Sequence, residues 1–149
     1  METKIETASI RLLDKLYEIE VQCFNQEAFT KRQIAYLLAE YNTIGLVAKV
    51  NGDIAGFIIS RVETENGALY GHIITINVMP TYRRKGIASK MLQETEEILK
   101  GKGITECHLE AREDNSAALK LYQSNGYRKI GRLEKYYADK HGLYLKKSL

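Results

Sequence analysis

Ile76-Asn77-Val78-Met79-Pro80-Thr81-Tyr82-Arg83-Arg84-Lys85-Gly86-Ile87-Ala88 decides how the rest of the chain is read. A β-rich run ends at Val78, the single proline follows, three cations stand in a row, and a glycine opens an amphipathic stretch. A helix N-terminus presents unpaired N–H groups and partial positive charge, both suited to a phosphate. Glycine there lets the backbone approach a ligand with no Cβ in the way. Arg83, Arg84 and Lys85 add attraction for a polyanion. The competing reading is a solvated basic turn ahead of an ordinary helix. The stretch is neither a Walker motif, which ends in Gly-Lys-Ser/Thr, nor a Gly-x-Gly-x-x-Gly fingerprint. Nucleotide hydrolysis and dinucleotide redox chemistry therefore lack support.

Upstream, Thr43–Val50 and Ile54–Arg61 are β-rich runs joined by Asn51-Gly52-Asp53, a hairpin turn. Glu65-Asn66-Gly67 turns the chain again into Ala68–Val78, which completes an antiparallel meander. Downstream, Gly86–Lys100 predicts a helix with Ile87, Met91, Leu92, Thr95, Ile98 and Leu99 on one side, ended by Gly101 and Gly103. A strand at Thr105–Ala111, a helix at Asn115–Ser124 closed by Asn125-Gly126, and strands near Tyr127–Leu133 and Gly142–Lys147 finish the chain. Before the meander, a short strand near Lys4–Ala8 precedes a helix that Ser9 could cap. Its apolar positions are Leu12, Leu13, Leu16, Tyr17 and Val21. A break at Asn25–Ala28 separates it from a helix over about Thr30–Glu40, capped by Thr30. A meander followed by strand–helix–strand predicts a mixed α/β sheet.

The chain's 149 residues suffice for one domain with a proper core. No repeat, low-complexity stretch or Pro/Gly/Ser-rich linker divides it. With 44% hydrophobic and 28% charged residues the composition is that of a globular protein. No apolar run approaches the roughly 18 residues that cross a membrane. The N-terminus mixes acids and bases without an apolar signal core, so a cytoplasmic location is expected. A net charge of +3 argues no nucleic-acid partner. Cys23 and Cys107 lack metal or redox spacing and are expected to be reduced and partly buried.

Arg83-Arg84-Lys85-Gly86-Ile87-Ala88 resembles the pyrophosphate loop of the GNAT superfamily, Gln/Arg-x-x-Gly-x-Gly/Ala. Asn115-Ser116-Ala117-Ala118-Leu119-Lys120-Leu121-Tyr122, with Asn125-Gly126-Tyr127, resembles that family's Asn-x-x-Ala-x-x-Leu-Tyr-x-x-x-Gly-Phe/Tyr signature. Gly71–Val78, Leu109–Arg112 and Lys135–Asp139 are similar to archaeal N-terminal acetyltransferases. Those in turn resemble the catalytic subunit of the eukaryotic N-terminal acetyltransferase A complex and bacterial ribosomal-protein acetyltransferases. The similarity runs from about Thr43 to the C-terminus. It implies a GNAT fold, a mostly antiparallel sheet of about six or seven strands flanked by about four helices, with acetyl-CoA as co-substrate and no metal.

The resemblance also implies a site. A bulge in the fourth strand and a splayed fifth strand open a V-shaped gap for the cofactor. Backbone groups of Ile76, Asn77 and Val78 bind the pantetheine, and those across Arg84, Lys85, Gly86, Ile87, Ala88 and Ser89 hold the pyrophosphate. Asn115 and Tyr122 line the cofactor near its sulfur, with Tyr122 as general acid. Glu110 and His72 match catalytic positions on facing strands, and a water-bridged pair is plausible. A peptide α-amine, with a pKa near 7.7–8.0, must lose a proton before it attacks, so a base is needed. The alternatives are a salt bridge from Glu110 to Arg112 or a lysine, a structural role for His72, and plain ring packing for Tyr122.

On the substrate side, Tyr136 and Tyr137 match tyrosines that grip the first residues of a peptide. In a regularly alternating strand only one of them would reach the site. Glu27 and Phe29 match a peptide-binding Glu and Tyr, with Phe29 lacking the hydroxyl. The implied activity is acetylation of protein or peptide N-termini. Small-molecule amine acetylation, acyl-CoA binding without turnover, and an RNA- or ribosome-associated role are the competing functions.

Overall fold

The computed structural model describes residues 2–24, 27–137 and 139–149. The expected break at Asn25–Ala28 thus falls partly outside the described residues, at Asn25 and Gln26. Among the described residues seven strands form one sheet: β1 (Thr3–Thr7), β2 (Thr43–Val50), β3 (Asp53–Glu65), β4 (Ala68–Val78), β5 (Glu106–Arg112), β6 (Arg128–Tyr137) and β7 (Lys140–Ser148). Their order is β1-β2-β3-β4-β5-β7-β6, antiparallel except where β4 meets β5. The single parallel pairing follows from connectivity: the helix α3 (Ile87–Gly101) carries the chain from the end of β4 back to the start of β5.

Both faces of the sheet are buried, which explains the near-continuous apolar runs of β2 and β3. On one face α3 and α4 (Ser116–Ser124) pack against Leu46, Ala48, Ile58, Ile73, Leu109 and their neighbours. On the other, α1 (Leu13–Phe24) and α2 (Lys31–Ala39) cover Val47, Phe57 and Ile59. α2 begins as expected: Thr30 caps it in a complete capping box with Gln33.

The first helix departs from expectation. Ile10–Leu12 is a 3₁₀ turn, and Ser9 makes no side-chain cap bond. The buried face of α1 is Leu16, Ile19 and Glu20, while Tyr17 and Val21 are exposed. The seven apolar residues of α1 spread round the helix rather than along one stripe, so the face is ambiguous in sequence, and the buried face includes a carboxylate. In α3, too, Glu96 is buried beside Thr95. It accepts from Tyr127 Oη at 2.9 Å and pairs with Lys147 Nζ at 2.6 Å, so the buried charge is matched. Cys107 is buried and Cys23 half-buried, and both are free thiols.

One close approach governs the strand that carries the site. Gly56 of β3 lies opposite Val78, and a Cβ on it would stand 2.2 Å from the Asn77 carbonyl oxygen and 3.1 Å from Val78 Cα. Backbone cannot yield as a side-chain tip can. Gly56→Ala is expected to destabilise the fold by about 1–3 kcal/mol through overpacking. A thermal melt should show a fall of several degrees; an unchanged Tm would mean that β4 shifts at no cost.

Candidate active site

β4 and β5 are registered at only two pairs, Gly71 with Cys107 and His72 with His108. Beyond His72 they part. The cause lies on β4's other side: Ile59 faces Thr75 and Ser60 faces Ile73, so Ile74 is an extra residue, a β-bulge. The bulge inverts β4's alternation: Ile73 packs toward α3, whereas Thr75 and Asn77 bond to Glu20 of α1. A cleft of about 1650 Å³ opens between the parted strands. Every candidate residue named from the sequence lines it except Lys85.

At one end stands the loop quoted first. Gly86 is the N-cap of α3 at φ 79, and Arg84 is also left-handed at φ 63. Nothing crowds the place of a Gly86 Cβ, so the requirement is conformational. The amide of Lys90 bonds to the Gly86 carbonyl at 3.1 Å, leaving the amides of Gly86, Ile87, Ala88 and Ser89 ahead of the first helical bond. Arg83, the first residue of the motif, is engaged within the protein: its Nε donates to the Val78 carbonyl at 2.9 Å and its guanidinium reaches Cys23 Sγ at 3.5 Å. It locks the end of β4 to α1. Ser89 Oγ accepts from Asn125 Nδ2 at 3.1 Å, tying α3's first turn to the end of α4.

At the apex of the gap, His72 and Glu110 are in direct contact, Nε2 to Oε1 at 2.8 Å, where a bridging water had been plausible. The competing ion pair does not form: Arg112 goes to Glu27 at 2.6 Å and to Asp114. The second ring nitrogen of His72 meets Glu63 Oε2 at 3.0 Å. Glu63 also accepts from Tyr70 Oη at 2.8 Å and from Arg61 at 2.9 and 3.0 Å. Burial by itself would lower the His72 pKa, but the hydrogen bonds and charges of Glu110 and Glu63 outweigh it and raise it. Burial likewise opposes ionisation of Glu63, and its bonds to His72, Tyr70 and Arg61 overcome that and lower its pKa.

Tyr122 is buried and stands edge-on to Tyr127 with ring centroids 6.2 Å apart. Burial drives its pKa up, keeping the hydroxyl protonated. Asn115 is the N-cap of α4, its Oδ1 accepting from the Ala118 amide at 3.1 Å. That capping role is ample reason for an asparagine at the position.

Tyr136 and Tyr137 both line the cleft. β6 carries a bulge between Leu133 and Tyr137, with Lys135 at φ 50, and this breaks the alternation that would have aimed one tyrosine away. Their rings meet edge to face at 4.9 Å. Burial first, then the charge of Glu110, raises the Tyr136 pKa. Glu27 lines the cleft but is paired with Arg112. Phe29 packs on the α1–α2 core, and its amide donates to Glu20 at 3.2 Å.

Three residues of consequence escaped the sequence reading. Glu20 bonds to Thr75 at 2.9 Å and Asn77 at 3.1 Å, and burial raises its pKa. Glu63 lies beyond Arg61, where β3 is expected to stop, and Arg61 reads as no more than the strand's last residue. The strand runs on to Glu65, which puts Arg61 and Glu63 on the same face as His72. Among the described residues, no cluster of three or more His, Cys, Asp or Glu side chains is arranged to hold a metal ion.

Residues 13–127 match the model of the acetyltransferase (GNAT) family. The chain is 35% identical over 117 residues to an N-alpha-acetyltransferase of Sulfurisphaera tokodaii, covering 72% of this chain and 70% of that one. Ard1 from Thermoplasma volcanium superimposes with a TM-score of 0.90 at 22% identity, over 100% of this chain and 99% of its own. The NatC complex bound to Gag peptide and CoA gives 0.89 at 25% identity, again over 100% and 99%. The chain belongs to the acetyltransferase (GNAT) family, the acetyl-CoA-dependent N-acetyltransferases.

The ion cluster at the apex predicts a pH window. Glu63, with its pKa lowered, stabilises the fold above its ordinary value of 4.5, and this is lost as pH falls through the lowered value. His72, with its pKa raised, stabilises fully below 6.5, and this is lost as pH rises through the raised value. The Tm difference between the wild type and His72→Gln should therefore be largest between about pH 4.5 and 6.5 and shrink on both sides. A difference independent of pH would remove the ion pairs from the account.

Proposed function

We propose that the protein acetylates the α-amine of a peptide or protein N-terminus by direct attack within a ternary complex. The observation that carries this reading is the Glu110–His72 contact at the apex of the gap, with Tyr136 and Tyr137 on the same cleft. Bound acetyl-CoA would supply the activated acyl group. The residues present fit it: unpaired amides from Gly86 to Ser89, a left-handed turn at Arg84, and the β4 edge released from β5 beyond His72. Ile76, Asn77 and Val78 would hold the pantetheine arm by their backbone, and Arg84, Lys85 and the first turn of α3 the pyrophosphate.

Glu110 lies where it would meet the incoming amine, and its carboxylate would accept the amine's proton. Tyr122 keeps its proton through burial and would present it from Oη to the departing sulfur. Two rigid rings with terminal hydroxyls, Tyr136 and Tyr137, would fix the backbone of the first peptide residues. Glu27 and Phe29 would form the opposite wall, and their contacts to Arg112 and Glu20 hold that wall in place. The relative from Sulfurisphaera tokodaii, named for α-amine acetylation, supports a peptide over a small amine, as does the NatC likeness. Free thiols at Cys23 and Cys107 fit a reducing, cytoplasmic setting.

The test pairs acetyl-CoA with two matched peptides carrying an internal lysine, one with a free α-amine and one blocked. Mass spectrometry should place the acetyl group on the free α-amine alone. Glu110→Gln should lower the rate by about 10²-fold or more, the scale of a lost acid–base group. Transfer to small amines and to neither peptide would overturn the assignment.

A further inference from the structure

His72 lies between two carboxylates, and the arrangement is chemically over-determined. A neutral imidazole has one N–H and one lone pair. Here Nε2 faces Glu110 Oε1 at 2.8 Å and Nδ1 faces Glu63 Oε2 at 3.0 Å, both within hydrogen-bond reach. A lone pair aimed at an ionised oxygen at either distance would be repulsive, so both nitrogens must donate unless one carboxylate is protonated. Glu63 is not the protonated one: Arg61 Nε, an Arg61 terminal nitrogen and Tyr70 Oη already donate to its two oxygens. The one alternative left is a protonated Glu110 donating to a neutral ring, the form that a single protonated His72 nitrogen would reveal.

We infer that Glu63 is a positioning residue that holds His72 as an imidazolium, so that Glu110, and not His72, is the group that takes the substrate's proton. This rests on the proposed function for its meaning, though not for its geometry. The charge balance fits it. The connected cluster contains two cations, Arg61 and His72, and three carboxylates, Glu40, Glu63 and Glu110. One added proton on Glu110 brings it to neutrality, whereas a proton taken by a neutral His72 would require the ring to begin with an unmatched lone pair. In the step itself an N–H bond of the α-ammonium breaks and an O–H bond forms on Glu110, leaving the free amine beside it.

The other groups around His72 do not replace Glu63. His108, its cross-strand partner on β5, has its pKa lowered by burial and by Lys146, and is bonded to Tyr144 Oη at 2.5 Å. Tyr70, on β4, stands with its ring 6.4 Å from that of His72 and gives its hydroxyl to Glu63. Tyr136 reaches the neighbourhood from β6 and feels Glu110. The raised His72 pKa and the lowered Glu63 pKa agree with the assignment.

Nitrogen-15 NMR of the three imidazoles in the intact protein, without substrate, tests this directly. His72 is assigned by its loss in His72→Gln. In the wild type at pH 7.5, both His72 nitrogens should carry protons, and the ring should titrate above its ordinary 6.5. Glu63→Gln keeps the shape and removes the charge, and should move the His72 midpoint down by about one pH unit, a tenfold change in proton affinity. It should also lower kcat about tenfold or more while leaving the peptide KM nearly unchanged. Should Glu63→Gln fail to fold, Glu63→Asp, which keeps the charge but draws it back by one methylene, should lower the midpoint by a smaller amount. A wild-type His72 with a single protonated nitrogen, or a midpoint indifferent to Glu63, would overturn the inference. An imidazolium in a protein that acetylates no α-amine would instead leave the inference standing and refute the proposed function.

Discussion

Everything at the cleft depends on the one extra residue in β4. Ile74 has no counterpart on β3, and its insertion does two things at once. It turns the strand's end away from β5, so that the parallel pairing stops after His72. It also moves Thr75 and Asn77 to the face where Glu20 waits, so that the polar side chains of the strand's second half are bonded beneath α1. A regular strand would have closed the sheet and left no edge exposed to a ligand. The close approach at Gly56 then fixes where the diverted end runs, and Arg83 closes the arrangement by holding the last carbonyl of β4.

The site's charges are matched in sequence rather than isolated. From Glu40 through Arg61, Glu63 and His72 to Glu110, each charged group contacts one of opposite sign. Taking such groups partly out of water costs free energy that only close partners offset. The same logic recurs on the far side of the sheet, where Glu96 is matched by Lys147 and Tyr127.

The fold was largely legible because its signals are local. Asn51-Gly52 and Asn66-Gly67 are turns whose left-handed residues the structure contains, and Gly86 and Gly103 adopt the positive φ their positions demand. The candidate site was legible where a motif carries it, as in Arg84–Ser89, and where the family resemblance marks a strand position, as for His72 and Glu110. It was opaque where the decisive fact is an acid drawn wholly or partly out of water. Glu20 in α1 and Glu63 beyond the expected end of β3 look in sequence like ordinary surface carboxylates, and only the partners brought from 55 and 9 residues away give them meaning. The two tyrosines posed a third case. Parity predicts that adjacent strand residues face opposite ways, and only the bulge in β6 places both on the cleft.

Glu20 bears on how such enzymes diverge. One carboxylate takes the amide of Phe29, in the segment between α1 and α2, and also the hydroxyl of Thr75 and the amide nitrogen of Asn77 on the bulged strand. The wall that would meet the substrate and the strand that would meet the cofactor thus share one side chain, while Glu27 ties the same wall to Arg112. That segment is not a module: transplanted into a relative without Glu20, Thr75 and Asn77, it would lose one of its two anchors. In this protein, substitutions within the segment would keep that anchor, whereas its wholesale exchange would not.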